Sequence, residues 1–115
     1  MKISIKRIYE KPSRKDGIRI LVDRLWPRGV SKSAASVEVW MKDLAPSEQL
    51  RKYLHVDKEG HYERFSLEYK KELENKREEI RKELKNFGKK VTIVTAVKDM
   101  EKSHIPALVA FLESL

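Results

Sequence analysis

The chain has 115 residues, no cysteine, and 26 Lys and Arg against 18 Asp and Glu, for a formal net charge of +8. Lack of cysteine excludes a disulfide scaffold, a thiolate metal site and a cysteine nucleophile, and 40% apolar content excludes an intrinsically disordered chain. The composition has no bias towards glycine, proline or serine, and its longest apolar run is 105–112, so fibrous, low-complexity and membrane-spanning classes fall away too.

Residues 2–8, K-I-S-I-K-R-I, alternate polar and apolar and predict a half-buried strand. Pro12 and Asp16-Gly17 mark the next stretch as a loop. Residues 18–22, I-R-I-L-V, suit an interior strand, and 37–41, V-E-V-W-M, suit a third. Pro46 and Ser47 give a helix start, with Glu48 favourably placed in the first turn. From 60 to 87, Tyr62, Phe65, Tyr69, Leu73, Ile80, Leu84 and Phe87 recur at helical spacing. That predicts one long helix of about 40 Å at about 1.5 Å per residue. Lys76 stands in the stripe and weakens it, and Gly88 is a suitable stop. Glu72–Lys76 and Glu78–Lys82 lie in the order that favours i,i+4 pairing. Residues 91–97, V-T-I-V-T-A-V, predict a second interior strand. Ser103 is placed to cap a last helix, with Pro106 in its first turn and Leu108, Phe111, Leu112 and Leu115 on one face. The order β-β-β-α-α-β-α predicts a single small α/β domain over residues 1–115. Its sheet of about four strands would be largely parallel or mixed and packed with helices.

The positive charge is unevenly spread. Residues 1–32 hold ten basic and three acidic side chains, a net of +7, whereas the remainder nearly balances. A localised positive field attracts anions, which makes a small anionic ligand or a nucleic acid the expected partner and a membrane not one. The chain has only three side-chain amides, Gln49, Asn75 and Asn86, among abundant charges of both signs. That pattern suggests a thermophilic source, in which part of the charge is simply a solvated surface. The first residues, rich in Lys and Arg, lack the apolar core of a secretory signal, so the expected address is the cytoplasm.

In open α/β sheets ligands bind outside the carboxyl ends of parallel strands. The second and last strands run into charged, turn-rich stretches, Asp23-Arg24-Leu25-Trp26-Pro27-Arg28-Gly29 and Lys98-Asp99. If those strands are parallel the two stretches converge, and the helix start near Ser103 adds N–H groups that favour an anion. Arg24, Arg28 and Lys98 then supply positive charge, Asp23 orients an arginine or acts as a base, and Trp26 and Trp40 supply flat walls. The alternative is a hydrophobic plug of Trp26-Pro27 beside an ordinary ion pair. Neither a P-loop nor a dinucleotide glycine motif nor a nucleophile elbow is present. His55, Asp57 and His61 match no standard metal spacing, so neither a metal nor a cofactor is expected. His104, at the start of the last helix, reads more readily as a surface or capping residue than as part of a site.

Two stretches, V-D-R-L-W-P-R-G at 22–29 and W-M-K-D-L-A-P-S at 40–47, resemble the signatures of the YeaO-like family, domain of unknown function 488. The resemblance continues through Leu50-Arg51-Lys52-Tyr53, Phe65, Tyr69 and Lys98-Asp99 and covers essentially the whole chain. It implies a prokaryotic, cytoplasmic α/β protein of a family without an established activity. It points to Asp23, Arg24, Trp26, Arg28, Lys42, Asp43, Ser47, Lys98 and Asp99 as the positions of interest. Longer relatives carry cysteines near the last strand, and short ones a K-D-x-x-H-N stretch. Here there is no cysteine, and His104 stands two positions later than the family histidine.

Three readings follow. The first is an anion-binding or catalytic domain for phosphate compounds, with Asp23 or Asp99 as base and Arg24, Trp26, Arg28, Lys42, Ser47 and Lys98 binding the ligand. The second is a nucleic-acid-binding module using the basic first third, with Trp26 or Tyr9 stacking on bases. The third, ranked last, is an interaction protein that offers its long helix to a partner.

Overall fold

The computed structural model describes residues 1–115. Its strands are β1 (Lys2–Arg7), β2 (Ile18–Leu21), β3 (Val39–Trp40) and β4 (Lys90–Thr95), and its helices α1 (Lys32–Ala35), α2 (Glu48–Val56), α3 (Lys58–Glu74), α4 (Arg77–Leu84) and α5 (Ile105–Glu113). The four strands form one sheet in the order β1-β4-β2-β3, and every neighbouring pair is parallel. This is an α/β fold, and no helix is long and apolar enough to cross a membrane. The chain divides into two compact units, Met1–Ala45 with Glu83–Lys98, and Pro46–Lys82 with Asp99–Leu115.

The first unit holds the sheet. Ile18 and Ile20 pair with Val91 and Ile93, which stacks branched side chains on one face. On the other face Leu21 and Val94 join Ile8 and Ala35 in a buried cluster flanked by Trp26, Val30, Val37, Trp40 and Ala96. The amino-terminal part of that face is ionic: Arg19, beside Thr92 in the register, is 2% exposed. β3 is shorter than the 37–41 pattern predicts. Glu38 puts its carboxylate on the Arg19 N–H at 2.7 Å, so a side chain takes a donor that a longer ladder would use. The four-residue α1 has no periodic signal; Ser31 accepts the Ala34 N–H at its start, and Ser36, in the left-handed region at φ 50°, ends it.

The second unit is helical. The Ser47 hydroxyl accepts the Leu50 N–H and caps α2, and Asp57 caps α3 by accepting from Gly60. Phe65, Tyr69 and Leu73 are buried along α3 at the predicted spacing. Rings continue from Tyr62 to Phe65 (6.1 Å), Tyr69 (5.9 Å) and His104 (5.9 Å). The long helix expected over 60–87 is interrupted once, at Asn75 and Lys76, where the Lys76 N–H bonds to Leu73 in a tightened turn. This is where Lys76 breaks the apolar stripe. The stripe resumes with buried Ile80; Leu84, also buried, and Gly88, with φ 79°, already belong to the first unit. The surface ion pairs fall at i,i+3, as Glu68–Lys71, Glu74–Arg77 and Glu78–Arg81, and not at the expected i,i+4. Glu72 instead accepts the Ser47 N–H at 2.9 Å. Ser103 accepts the Ile105 N–H on its hydroxyl as a cap would, although α5 starts one residue later than expected and His104 stands at its N-cap.

Candidate functional site

Because all strands run one way, their carboxyl ends share an edge, and the signature residues of the first unit gather there. Asp23, two residues beyond β2, accepts the Thr95 hydroxyl on Oδ1 at 2.6 Å and the Ala96 N–H on Oδ2 at 2.7 Å. Its backbone carbonyl accepts the Trp40 indole N–H at 2.7 Å. One residue therefore ties together the ends of β2, β3 and β4. Arg7, the last residue of β1, completes the set by donating Nε to the Val97 carbonyl at 3.1 Å and Nη2 to that of Ala96 at 3.5 Å. Sequence reasoning did not single out Arg7 or Thr95. They lie in strand patterns, and nothing local marks a strand's last residue as a staple.

The loop after Asp23 is closed by the Trp26 indole, which donates to the Val30 carbonyl at 2.7 Å. Pro27 is buried, and Gly29 turns the chain at φ 74°. Trp26 meets Trp40 edge-on at 5.5 Å, and the Lys42 ammonium sits 4.1 Å from the centre of the Trp40 ring. Arg28, Lys42 and Lys98 are exposed, and Arg24 is half-buried. Trp40 thus touches Asp23, Trp26 and Lys42 directly. Arg24 and Arg28 ride on the same closed loop, and Lys98 lies two residues beyond Ala96.

Ser47 and Asp99 belong to the second unit. Ser47 is occupied as the α2 cap, and Asp99 accepts the Glu101 and Lys102 N–H groups, each at 3.2 Å, in a local turn. His61 points Nδ1 at the Tyr53 carbonyl, 2.7 Å away, and its ring stacks on that tyrosine at 3.9 Å. His104 is buried. No three His, Asp or Glu side chains converge as a metal site would need.

The first unit also holds a buried ionic cluster beneath its loops. Arg19 donates to Asp16 at 2.7 Å and to the carbonyls of Ala35 and Ser36, while Lys6 reaches the other Asp16 oxygen at 2.8 Å. Burial pushes the Asp16 carboxyl up, but hydrogen bonds from Lys6, the Ser13 N–H and Arg19 outweigh it and hold it at about 2. A charged residue inside the apolar run I-R-I-L-V was the available signal for this cluster. Counted by unit, the first carries fifteen basic and six acidic side chains, a net of +9, and the second eleven and twelve, a net of −1.

A family model described as the inactive DUF488-N3 subclade matches residues 2–115. The uncharacterised protein YeaO of Escherichia coli is 38% identical over 117 residues, covering all of both chains. The uncharacterised proteins Mb3100c of Mycobacterium bovis and Rv3073c of Mycobacterium tuberculosis are each 37% identical over 114 residues, covering 96% of this chain and 93% of theirs. No solved structure matches the chain.

Proposed function

This chain belongs to the YeaO-like DUF488 family, whose matching subclade is described as inactive, and we propose that it binds a small phosphate-bearing anion at the carboxyl edge of its sheet without turning it over. The observation that carries this reading is the state of Asp23. Each Asp23 oxygen accepts a hydrogen bond from the end of β4, which supports a structural use of this carboxylate. Asp23 acts here as the staple that holds the 24–29 loop against the strand ends. Asp99 uses Oδ1 alone to accept the Glu101 and Lys102 N–H groups of its own turn. What the edge offers to a ligand is cationic and flat: Arg28, Lys42 and Lys98 are exposed, Arg24 stands on the same loop, and Trp26 and Trp40 stand on edge to each other. Guanidinium and ammonium donors beside an aromatic wall suit a phosphate carried on a planar group, such as a nucleotide.

Both tryptophans of the chain lie at this edge, so their emission reports on it. Titration with inorganic phosphate and with a mononucleotide should give saturable quenching that persists as salt rises. Arg28→Ala should weaken binding at least about tenfold, the cost of one charge-assisted contact, while the melting temperature moves little. Unchanged affinity in that variant sinks this site.

A second reading, single-stranded nucleic acid at the same edge, is favoured by Tyr9, which is 55% exposed with the Arg7 guanidinium 5.0 Å from its ring centre. Quenching by oligonucleotides alone, lost steeply as salt rises, would select it over the small anion.

A further inference from the structure

A second concentration of charge lies at the opposite, amino-terminal edge of the sheet. Lys2 opens β1, Lys90 opens β4, and the two are register partners, so their side chains leave the same face of adjacent strands about 4.8 Å apart. Lys89 precedes Lys90 and accepts the Lys2 N–H on its carbonyl at 2.7 Å. Lys85 begins the short turn that leads into β4. Arg14 and Lys15 come from the turn before β2, which lies against β4: a Cβ on Gly17 would stand 2.5 Å from the Lys90 carbonyl oxygen, and Thr92 donates to the Asp16 carbonyl at 2.6 Å. Lys90 is half-buried and the other five cations are exposed, and none of the six forms an ion pair. Asp16, the acid of that turn, faces inward and is fully occupied by Lys6 and Arg19.

Like charges directly opposite on neighbouring strands are destabilising, and neither lysine of this pair is in an ion pair. The second unit shows that the chain does supply partners elsewhere, with Glu at i−3 to Lys71, Arg77 and Arg81. An uncompensated cluster on rigid strand ends is the arrangement expected of a surface whose counter-charge arrives from outside. Five of the six groups are lysines, which act as point charges and do not need the forked geometry of a single bound phosphate. Phe87, the aromatic residue of this edge, is only half-exposed, so the surface lacks the open ring on which unpaired bases would stack. Spaced point charges without a stacking platform fit the repeating phosphodiesters of a double helix. We infer that the amino edge of the sheet, through Lys2, Arg14, Lys15, Lys85, Lys89 and Lys90, docks the backbone of duplex nucleic acid without reading its sequence. This inference is independent of the anion site at the carboxyl edge.

The test is fluorescence anisotropy of the full chain with labelled 20-base-pair DNA and RNA duplexes of mixed sequence, from about 50 to 200 mM salt. If all six cations contact phosphates, affinity falls with a log–log salt slope of about 5. Replacing Lys2, Lys89 and Lys90 together by Gln should lower that slope by about 3 and weaken binding at least about tenfold at low salt. Arg14→Gln with Lys15→Gln gives a second, strand-independent variant, expected to lower the slope by about 2. Arg28→Ala, which tests the other edge, should leave duplex binding unchanged. Preference for one duplex over the other would assign the nucleic acid. An undiminished slope in both variants overturns the inference. So does the lack of duplex binding at 50 mM salt, or capture by anionic phospholipid vesicles when neither duplex binds.

Discussion

In the first unit an aspartate and an arginine are buried together under the sheet's loops while cations at the amino edge stand unpaired; in the second, the buried positions are mostly aromatic and aliphatic, and three ion pairs run along α3 and α4. The difference follows from the secondary structure each unit is made of. A long helix offers every charged side chain a neighbour one turn away, so neutralisation is local. A parallel sheet offers no such neighbour, because adjacent strands come from distant parts of the chain. Charge in a sheet is either buried with a partner from a flanking turn, as Arg19 is with Asp16 three residues before it, or left for an external one.

The two largest stability effects should be of similar size, one in each unit, and should part on changing pH. Asp16→Ala strands the Arg19 guanidinium, which is 2% exposed, and should cost about 3–5 kcal/mol. Phe65→Ala opens a cavity under the ring ladder and should cost about 3–5 kcal/mol as well. The Asp16 carboxyl sits at about 2 in the fold against 3.8 ordinarily, so its contribution is full above pH 4 and is lost as pH falls through 2. Denaturant melts at successive pH values should therefore show a shallower acid limb in Asp16→Ala than in the native chain, and an unchanged limb in Phe65→Ala. Identical limbs in all three would mean that the buried pair does not set acid stability.

A smaller effect tests the staple. Thr95→Val keeps the shape of β4 but removes the hydroxyl that donates to Asp23 and accepts the Val97 N–H. It should cost about 1–2 kcal/mol. Because the 24–29 loop is then held by fewer bonds, tryptophan quenching by phosphate should weaken along with stability. Loss of stability with unaltered quenching would separate the loop's position from the staple.

Much of this architecture could be read from the chain, and the residues that escaped reading have a common cause. The alternation at 2–8, the apolar runs at 18–22 and 91–97, and the cap at Ser47 are local signals, and each appears in the structure within a residue or two. Lys76 predicts a weakened stripe in one long helix, and the structure goes further and interrupts the helix there. The expected convergence of the loops after β2 and β4 holds for Asp23, which bonds to the β4 end directly. What escaped was the use made of the residues there. Asp23 reads as a base or an orienter of arginine, and its partners at the end of β4, 72 and 73 positions away, have no local signal. Asp16 reads as half of an Asp-Gly turn, and it is that, but its carboxylate belongs to Arg19 and Lys6. For Asp23 the deciding partners are distant in sequence; for Asp16 they stand three and ten residues away, but no local pattern marks them as partners.

The smallest effect defines the other end of the comparison. Glu78 and Arg81 pair at 3.3 Å one turn apart on α4, with both side chains well exposed. Water screens their attraction, and holding two long side chains in one geometry costs rotamer entropy. A double-mutant cycle with Glu78→Gln and Arg81→Gln should give a coupling of about 0.3–0.5 kcal/mol, disappearing in about 1 M salt. The corresponding cycle for Asp16 and Arg19 should give a coupling several times larger that barely responds to salt, because mobile ions do not enter a site that water does not reach. Equal couplings, or equal salt dependence, would mean that the ionic cluster under the sheet is solvated. The contrast between a unit that buries its charge and one that pairs it outside would then be one of position along the chain and not of energy.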